Sequence, residues 1–513
     1  MTFLLLGSGY FQKALADLGH DVAWAGTDPG CDPRLEEKDL DIPRIIAKLG
    51  RKIQAVILTD DLGRRVFPSG LERTQGLKVY YGVDGPLNFF WQRHFASLFD
   101  LVALDQKSTA EMVPGAFWLP VGVETGLYQG PPEEPVHDIG FVGVVDPRVR
   151  PRRSNIISLL SRHFEVKTAG GRQNGWTPPR EAARLYRRSR MALNENLFPG
   201  FTTRLLEGPA AGALVFTEGD SPGLADFFVP NEDLAVYGPE DILETARAFL
   251  SDHGRRKRVA ARGREKVMAG HDVKNRARTL LDLIAAARPG TGLADPGPFS
   301  DKLGQALLLA GLRWPGQDGG RKLSRAETLL TRADRLDAAD RETMFSLGAL
   351  ALIKGDAAAA RSRLRRAADQ GSIRAQVALG FLDGPEDLKT AARTTDLEAG
   401  PGTASAADLH FQAGLILEKA GHDLTPGFSR QGLAPVMWDA LEHYLAAIRL
   451  TPDRVEPLVR LGELLARRGA CCEARPFLEQ AWARGGRSTG LARLLEETKI
   501  KGYQPSPDKE KKS

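Results

Sequence analysis

Cysteine and long apolar runs are what this sequence lacks most clearly. Its 513 residues include three cysteines, Cys31, Cys471 and Cys472. Three thiols, two of them adjacent, cannot build a disulfide framework, so we expect a reducing, cytoplasmic environment. No stretch approaches the ~18 consecutive apolar residues of a membrane-spanning helix. The opening residues MTFLLLGSGY have no basic segment ahead of the apolar one, which predicts a first strand and not a signal peptide.

A strong excess of charge of one sign is also missing. Lys and Arg number 70 against 65 Asp and Glu, a formal net charge of +5. This mild excess permits anionic small ligands but does not predict a nucleic-acid surface. The nine histidines do not pair with cysteines or acids at ligand spacings, so the sequence predicts no metal site. A hydrophobic content of 42% is enough for packed cores, and the length predicts about two to four domains.

The first 130 residues alternate short apolar runs with helical segments, which is the pattern of a doubly wound α/β sheet. The predicted strands are Phe3–Leu6, Asp21–Trp24, Ala55–Thr59, Lys78–Tyr81 and Leu101–Leu104. The acidic and proline-rich segment Tyr128–Asp138 predicts a linker. A second sheet domain is predicted over residues 131–288, beginning with the apolar run Ile139–Gly143.

A second breaker-rich linker, residues 289–300, precedes a helical and repetitive region rich in alanine and leucine. The spacing of Leu347, Gly348, Gly355, Ala360, Leu364 and Ala367 recurs at Leu461, Gly462, Gly469, Ala474, Leu478 and Ala481. Ala440 and Ala447 stand 34 residues before two of these positions. A 34-residue period with small residues at helix crossings resembles the tetratricopeptide repeat. We expect such repeats over residues 301–500 and a disordered charged tail over 501–513.

The segment from Leu193 to Tyr237 carries the most functional information. It predicts a strand, a Gly/Pro-rich loop, a short helix with Arg204 and Glu207, and a second buried strand over Ala213–Phe216. A loop that enters a helix at the carboxyl edge of a sheet offers free N–H groups to a phosphate. An arginine there adds a cationic fork for a diphosphate, and a glutamate one turn further on can accept hydrogen bonds from ribose hydroxyls. Together these features predict a sugar-nucleotide donor site.

This segment resembles the donor half of GT-B glycosyltransferases of the group 1 type, specifically the spore-maturation-protein-like (CgeB-like) branch. The family pattern R-x-x-E, A-x-G-A, strand, P-G-L-x-x-F-F is matched at residues 204–207, 210–213 and 222–228. The likeness covers residues 133–288 well and 1–130 more loosely. It implies two facing Rossmann-like domains (GT-B), followed by the all-α tetratricopeptide-like repeat domain. It also implies a metal-independent hexosyltransferase that needs no bound cofactor and uses a nucleotide-diphosphate sugar.

The resemblance implies a donor-binding set in the second domain: Gly143, Arg153, Arg204, Glu207, Gly208 and Gly212. Gly143 would end the first strand, and Arg153, or its neighbour Arg152, would reach the diphosphate from the following helix. Gly208 would stand near a helix start at the diphosphate. The backbone of residues 168–171 would pass by the nucleotide base, so the identity of the base leaves no trace in the side chains.

The resemblance is incomplete at the sugar. Many retaining GT-B enzymes carry two glutamates with seven residues between them, and Glu207 corresponds to the second. The first falls on Pro199, and Glu195 is the candidate substitute. The departure leaves open both the acid-like role at the sugar and the stereochemical outcome.

A polar and aromatic cluster in the first domain predicts an acceptor side. The loop from Tyr80 to Pro86 follows a buried strand and leads into Trp91 and His94. Asp84 or His94 can act as a base towards an acceptor hydroxyl. The alternative is that Asp84 caps a turn and Trp91 belongs to the core.

The glycine turn after the first predicted strand has two interpretations. Gly7 and Gly9 correspond to a loop that lies beside the acceptor in GT-B folds. A dinucleotide fingerprint needs a third glycine at position 12, which is Gln12, so a plain strand-to-helix turn is the simpler interpretation.

The expected function is therefore transfer of a sugar from a nucleotide-diphosphate sugar to an acceptor, either a protein or a cell-surface glycan precursor recruited by the repeats. Two alternatives remain open. A degenerate GT-B domain would bind the nucleotide sugar without turnover and act as a scaffold, and Pro199 supports it. A non-hydrolysing sugar-nucleotide epimerase shares the two-sheet fold but needs several catalytic acids and a histidine in the cleft.

Overall fold

The computed structural model of the chain describes most of its residues. The described ranges are 1–36, 40–60, 66–130, 133–146, 150–171, 177–196, 200–219, 221–238, 241–290, 295–313, 317–336, 340–383, 405–422, 438–467 and 471–498. The chain forms two compact units. The first contains Met1–Leu119, Ala277–Leu464 and Gln480–Gly486, and the second contains Pro120–Arg276, Leu465–Glu479 and the residues from Arg487 onward.

The first unit begins with a parallel sheet. Its strands are β1 (Thr2–Gly7), β2 (Asp21–Ala25), β3 (Ala55–Thr59), β4 (Leu77–Gly82), β5 (Leu101–Leu104) and β6 (Phe117–Trp118), in the order β2-β1-β3-β4-β5-β6. The helices of this part are α1 (Gln12–Asp17), α2 (Ile42–Leu49), α3 (Gly85–Ala96) and α4 (Lys107–Ala110). The five predicted strands are confirmed to within one residue at each end, because continuous apolar runs are typical of strands buried on both faces.

The second unit contains another parallel sheet. Its strands are β7 (His137–Val142), β8 (Val166–Ala169), β9 (Ser189–Leu193), β10 (Leu214–Glu218) and β11 (Ala235–Tyr237), in the order β11-β10-β9-β7-β8. The helices of this part of the chain are α5 (Thr125–Tyr128), α6 (Pro151–Ser161), α7 (Pro179–Arg187), α8 (Arg204–Ala211), α9 (Leu224–Phe227), α10 (Ile242–Ser251), α11 (His253–Gly270) and α12 (Val273–Ala286). Two hydrophobic clusters cover the two faces of the sheet: Ala192 belongs to one, and its neighbours Met191 and Leu193 belong to the other.

The rest of the described chain is helical, as the sequence predicts. The helices are α13 (Pro296–Arg313), α14 (Gln317–Leu336), α15 (Arg341–Ile353), α16 (Ala357–Asp369), α17 (Ile373–Leu382), α18 (Ala406–Lys419), α19 (Ala440–Leu450), α20 (Val455–Arg467), α21 (Cys471–Ala483) and α22 (Thr489–Glu497). Helix α13 begins at Pro296, inside the range predicted as a linker. Among the described helices, none combines the length and apolar character needed to span a bilayer.

Glycines let successive helices of this region approach one another. A Cβ built on Gly348 of α15 would lie 2.8 Å from Cγ of Leu364 on α16, two positions that the repeat pattern singles out. A Cβ on Gly414 of α18 would lie 2.6 Å from the ring of Tyr444 on α19. Small residues at helix crossings are therefore confirmed as a packing device, while membership of the tetratricopeptide family remains a prediction.

The first sheet and the helices from α13 to α17 share one hydrophobic core. The same cluster contains Leu4 and Val56 of the sheet and Leu303, Leu347 and Leu379 of these helices. The helical region is therefore not attached to the first sheet by a linker alone. Its first helices are built on the sheet domain through buried apolar contacts, and about 25 cal/mol per Å² of buried apolar surface would resist their separation.

The buried side chain of His443, on α19, leads us to predict that acid destabilises the helical region. Its side chain is fully buried, and its Nδ1 lies 3.0 Å from Nδ1 of His410. Burial, and secondarily the charge of His410, lowers the pKa of His443 from 6.5 to about 3. Because the folded-state pKa lies below the unfolded value, the unfolded chain binds this proton at a higher pH than the folded chain does. The free energy of unfolding therefore falls as the pH falls through 6.5. We expect the free energy of unfolding to drop by about 2 kcal/mol from pH 7 to pH 5 through this group.

Urea titrations followed by circular dichroism at the two pH values would measure this drop. In His443→Gln the drop should be smaller by about the same amount, because the variant has no proton to bind. An equal drop in both proteins would contradict the assignment.

Candidate functional site

The second sheet reverses its strand order at the pair β7–β9. From β7 the chain passes to β8 on one side, and later to β9 and β10 on the other. In open parallel sheets the connecting loops diverge at such a point, and ligands bind outside the strand ends there. Gly143 follows β7 and Asn194 follows β9. The residues after these two strands therefore define the candidate site.

Three glycines line this edge of the sheet after β7 and β8. Gly143 has a φ of +148°, and a Cβ built on it would lie 3.1 Å from Cζ of Phe141 and 3.6 Å from Nη1 of Arg204. Gly170 and Gly171, after β8, have φ values of +84° and +107°. A larger residue at position 143 would strain the backbone and enter the space beside Arg204. Gly143 thus ends its strand as predicted, and its contact with a donor remains a prediction.

Arg204 is the first residue of α8 and lies at this edge. Its Nε donates to Oδ1 of Asn194 at 3.1 Å, and its Nη2 donates to the backbone carbonyl of Glu195 at 2.9 Å. Its guanidinium lies 5.3 Å from the ring centroid of Phe141. In the described part of the chain, no carboxylate lies within 4.0 Å of this guanidinium. Neutral oxygens therefore orient a charge that stands at a helix start and is available to an anion.

Asn194 holds Arg204 in place. It is fully buried, and its Nδ2 donates to Oγ1 of Thr217 at 2.9 Å. Its Oδ1 accepts from the hydroxyl of Thr202 at 2.8 Å as well as from Arg204, and its carbonyl accepts from the hydroxyl of Tyr237 at 3.0 Å. A buried amide with these partners has one stable orientation. The orientation of Arg204 is therefore set before any ligand binds.

Arg153 lies in the first turn of α6 and is committed to protein contacts. Its Nε donates to Oε2 of Glu195 at 2.6 Å, its Nη2 to the Glu195 carbonyl at 3.2 Å, and its Nη1 to the carbonyl of Val144 at 3.1 Å. Burial, and then the positive charge of Arg204, lowers the pKa of Arg153 to about 10. Its guanidinium lies 5.1 Å from the centroid of Phe141, the ring that Arg204 also contacts. The structure places Arg153 behind Arg204 and pairs it with a glutamate.

Glu195 is correspondingly fixed by arginines. It is 2% exposed, and Nη1 of Arg152 lies 3.8 Å from its Oε1, in addition to the contacts with Arg153. Arg152 also forms an ion pair with Glu218 at the end of β10. An acid-like role at the sugar requires a carboxylate that can reach the reacting group. Glu195 would have to leave a buried ion pair to do so, and Pro199 lies outside the described residues.

Glu207 stands one turn after Arg204 on α8. The hydroxyl of Tyr128 donates to its carboxylate. Burial raises the pKa of Glu207, and the Tyr128 hydrogen bond and the charge of Arg204 oppose that rise. The Tyr128 hydroxyl orients this carboxylate, as a group that receives ribose hydroxyls requires, and the charge of Arg204 acts on it from beyond ion-pair distance. Tyr128 lies in a segment that the sequence predicts to be a linker.

The predictions for Gly208 and Gly212 need correction. Helix α8 begins at Arg204, so Gly208 lies in its second turn, where a Cβ would approach Cγ2 of Val215 to 2.6 Å and Cβ of Ala192 to 2.9 Å. Gly208 therefore lets the helix pack closely on β9 and β10. Gly212 ends α8 with a left-handed φ of 90°. Since α8 starts at the carboxyl edge of the sheet and returns to the opposite edge, Gly212 lies away from the site.

Asp84 lies at the carboxyl edge of the first sheet, two residues after β4. It precedes α3 with a left-handed φ of 52°, and its side chain does not cap the helix. Its backbone N–H donates to Oδ2 of Asp105 at 3.1 Å. The neighbouring Trp91 is 2% exposed and belongs to the core. The alternative prediction for Trp91 is therefore confirmed, and that for Asp84 as a side-chain cap is not.

His94 is not close to Asp84. It lies in the last turn of α3, about 15 Å along the axis from the helix start at a rise of about 1.5 Å per residue. Burial lowers its pKa to about 3, and its charged neighbours are Arg93, Lys302 and Asp301, with Arg374 further along the chain. Helix α3 carries His94 away from the carboxyl edge, so the structure does not bring the two alternative bases together, and the role of either one remains a prediction. His94 packs against the helical region instead.

Protein atoms occupy the space beside both glycines of the turn after β1. A Cβ on Gly7 would lie 2.1 Å from the carbonyl oxygen of Thr59. The ring of Trp24 occupies the space beside Gly9, where a Cβ would approach it to 2.8 Å, and its Nε1 donates to the carbonyl of Gly7 at 3.0 Å. The turn therefore serves strand packing and holds Trp24, in agreement with the simpler interpretation of this sequence.

Phe228, the last residue of the matched family pattern, belongs to a packing cluster with His271 and Arg276. His271 is 5% exposed, stacks on Phe228 with ring centroids 5.5 Å apart, and accepts at Nδ1 from Nη2 of Arg276 at 2.7 Å. Burial, and then the charge of Arg276, lowers its pKa to about 4. The hydrogen bond between the Val123 N–H and the His271 carbonyl, 3.0 Å, ties this cluster to the start of the unit. These residues stabilise the second unit and do not reach the strand-end site.

The sequence does not single out Tyr128 as the partner of Glu207 or Asp105 as the neighbour of Asp84. It also does not predict that Asn194 orients Arg204. Asp105 directly follows β5, so the signal that singled out Asp84 was present. Tyr128 left none, because it lies 79 residues before its partner. Within the described ranges, no group of three or more His, Cys, Asp or Glu side chains is arranged to hold a metal ion.

Residues 152–282 match a family described as glycosyl transferase-like. No relative among the curated proteins matches the chain. Similar solved structures include sucrose-phosphate synthase from Thermosynechococcus elongatus (15% identity, 56% of this chain and 99% of that chain, TM-score 0.41). Others are a glycosyltransferase from Rickettsia africae (12%, 56% and 98%, 0.40) and HepE from Anabaena in complex with UDP-glucose (11%, 56% and 100%, 0.40).

At TM-scores this low the structural likenesses assign no function. The family match shows that the second unit contains a glycosyl transferase-like domain, and its residues include Arg153, Arg204 and Glu207. The two parallel sheets with their helices have the architecture of Rossmann-like domains. The predicted sheets and the glycosyl transferase-like domain are therefore confirmed, while the GT-B arrangement and the CgeB-like branch remain predictions.

Proposed function

We propose that the chain is a glycosyltransferase that moves a hexosyl group from a nucleotide-diphosphate sugar to an acceptor. The observation that carries this proposal is the setting of Arg204. Its guanidinium stands at the start of α8 and beside Gly143, oriented by Asn194 and by the Glu195 carbonyl. An oriented cation that has no direct carboxylate partner among the described residues, at a strand-order reversal, is suited to a diphosphate.

The donor would use each group of this edge differently. Arg204 would contact the diphosphate and stabilise the charge that develops when the sugar leaves, without a metal ion. Glu207 would accept hydrogen bonds from ribose hydroxyls. The glycines after β7 and β8 would let the nucleotide approach the backbone. Arg153 would support Arg204 through Phe141 rather than bind the diphosphate, because Glu195 and Val144 engage its three nitrogens.

The acceptor would use the first sheet, where Asp84 is the proposed base for the attacking hydroxyl. The helical region would present the acceptor, a protein or a glycan precursor, as tetratricopeptide-like repeats present peptides. We place the chain in the cytoplasm, since three cysteines supply no disulfide framework.

A nucleotide-sugar-binding scaffold without turnover is the second candidate. The ion pair of Glu195 with Arg153 favours it, because this pair removes the substitute acid from the sugar side. An epimerase is less suited to the site. It would need a histidine at the donor edge, whereas His271 is stacked on Phe228 in the packing cluster.

Calorimetric titration with a panel of nucleotide-diphosphate sugars, including UDP-glucose and GDP-mannose, would test the donor site. We expect a dissociation constant on the order of micromolar for one donor, weakened at least tenfold in Glu207→Gln, which loses one acceptor and the charge. Glu265→Gln, the same change on an exposed position of α11, serves as the control.

The outcomes of this titration separate the candidates. Binding that Glu207→Gln weakens, accompanied by release of nucleotide, supports the transferase. The same binding without release of nucleotide supports the scaffold. Absence of binding by every donor would contradict the assignment of Arg204 and Glu207.

A further inference from the structure

A second carboxyl group stands beside Asp84 at the edge of the first sheet. Asp105 follows β5 directly, and β4 and β5 are neighbours in the sheet, with Gly82 opposite Leu104. Asp105 is 2% exposed. Its Oδ2 accepts from the backbone N–H of Asp84 at 3.1 Å and from Nε2 of Gln106 at 3.0 Å. The loops that follow β4 and β5 therefore each bring an aspartate to this edge. The Asp105 carboxylate accepts a hydrogen bond from the backbone of Asp84.

The backbone of Asp84 needs such support. Its φ of 52° and ψ of 41° are left-handed, which is uncommon for a residue with a side chain. Gln92 donates to the carbonyl of Val83 at 2.9 Å, and Asn88 donates to the carbonyl of Asp84 at 3.1 Å. Conformations of this kind persist where the surroundings over-determine them, and they are concentrated at functional sites. The loop is held at three consecutive backbone groups by three side chains, and Asp105 is the charged one.

We propose that Asp105 is a positioning residue, which fixes the left-handed backbone of Asp84 and keeps the Asp84 carboxyl beside a second carboxyl, so that Asp84 meets the acceptor hydroxyl in one orientation. The proposal rests on the proposed transferase function. It adds Asp105 to Asp84 as a second acidic residue on the acceptor side. Asp105 does not contact the acceptor itself.

The electrostatic setting of Asp105 agrees with this role. Its Oδ1 is buried and has no hydrogen-bond partner among the described residues. Burial, and then the negative charge of Asp84, raises the pKa of Asp105 to about 7. Lys107 lies over the ring of Trp118, whose Nε1 donates to the Asp105 carbonyl, and Asp60 accepts from Gln92 at 2.9 Å. The negative charge of Asp84 therefore favours retention of a proton by Asp105.

A pH-dependent unfolding cycle tests the pair without any acceptor or turnover. The melting temperatures of wild type, Asp105→Asn, Asp84→Asn and the double variant would be measured at pH 6 and pH 8. A folded-state pKa raised above the unfolded value means that the stability from Asp105 is lost as the pH rises through about 7. Asp105→Asn should therefore gain in melting temperature, relative to wild type, between pH 6 and pH 8. The gain should be smaller in the Asp84→Asn background, and an equal gain would overturn the coupling.

Release of UDP from UDP-glucose, with water or a supplied hydroxyl compound as acceptor, tests the positioning role. Asp105→Ala should lower kcat at least tenfold and leave the donor KM within a factor of two, because the donor site lies on the second sheet. Asp105→Asn keeps an acceptor for the Asp84 N–H, so most of kcat should return. The pH profile of this variant should lack the change near pH 7 that the titration of Asp105 gives to the wild type, because an amide does not titrate. Asp453→Asn, on an exposed turn, is the control.

The two experiments keep the proposals apart. Wild-type kcat and a wild-type pH profile in both Asp105 variants would overturn the positioning role while the transferase stands. A wild-type chain that releases UDP from no donor would contradict the transferase and, with it, the use of the pair in catalysis. The unfolding cycle then still decides whether the two carboxyls are coupled.

Discussion

Arg204→Ala should lower kcat/KM for the nucleotide sugar by about 10²–10³-fold, which corresponds to about 3–4 kcal/mol of transition-state stabilisation. The loss should appear mainly in kcat. A diphosphate gains charge as the sugar leaves, and a cation already oriented by Asn194 and the Glu195 carbonyl stabilises that charge without reorganisation. Steady-state release of nucleotide from the donor found by calorimetry would measure the effect.

Two further variants separate this role from general damage to the unit. Arg204→Lys keeps the charge but lacks the planar fork that bonds both Asn194 and Glu195, so its activity should lie between wild type and alanine. Arg247→Ala removes an exposed arginine from α10 and should leave kcat/KM unchanged. A kcat/KM within threefold of wild type in Arg204→Ala would mean that the anion binds elsewhere, and the donor assignment would fail.

The strand pattern and the position of Arg204 were readable because both are local. Continuous apolar runs marked β1, β3 and β9, and a loop entering a helix marked the charged edge. The direction of the return helix is not a local feature, and it carries Gly212 and His94 away from the carboxyl edges of their sheets. A helix that follows a parallel strand carries its later residues back to the amino edge, so only its first turn can contribute to a strand-end site.

The ion pairs of the site could not be read from the sequence. Arg153 and Glu195 are 42 residues apart, and either one alone has the character expected of a catalytic or ligand-binding residue. Their mutual contact changes the role of both. A buried pair of this kind is costly to break from either side, since the remaining charge is left without a partner. It therefore serves better as a rigid support for Phe141 and Arg204 than as a pair of reacting groups.

The shared core of the first sheet and the helices from α13 to α17 bears on how an acceptor would be presented. Helices joined to a sheet only through a flexible linker would search space and raise the local concentration of a bound partner. Helices that share Leu303 and Leu347 with the core of Leu4 and Val56 hold a fixed orientation to the edge that carries Asp84 and Asp105. A partner bound to these helices would be oriented as well as concentrated, which makes the acceptor-side geometry a property of the whole first unit.

Gly263→Ala should destabilise the second unit by about 3 kcal/mol or more. A Cβ on Gly263 of α11 would lie 2.2 Å from the carbonyl oxygen of Asp233, a backbone atom that cannot rotate away as a side chain can. Two side chains of α11 also hold Asp233 at this point. Arg262 donates to Oδ1 of Asp233 at 3.2 Å, and Lys266 forms an ion pair with the other carboxylate oxygen. The helix cannot withdraw from the added methyl group without breaking these contacts.

Gly270→Ala is the matched control for this prediction, because it makes the same change on the same helix. A Cβ on Gly270 would meet no atom within 4 Å. Alanine is favoured over glycine in helices by up to about 1 kcal/mol, so this variant should be neutral or slightly more stable. Gly263 lies inside α11 and Gly270 at its last position, so helix propensity favours alanine at least as much at 263, and a lower urea midpoint for Gly263→Ala therefore reports the contact with Asp233. Equal midpoints would show that α11 can move, and the close approach of α11 to Asp233 would then not explain the glycine at position 263.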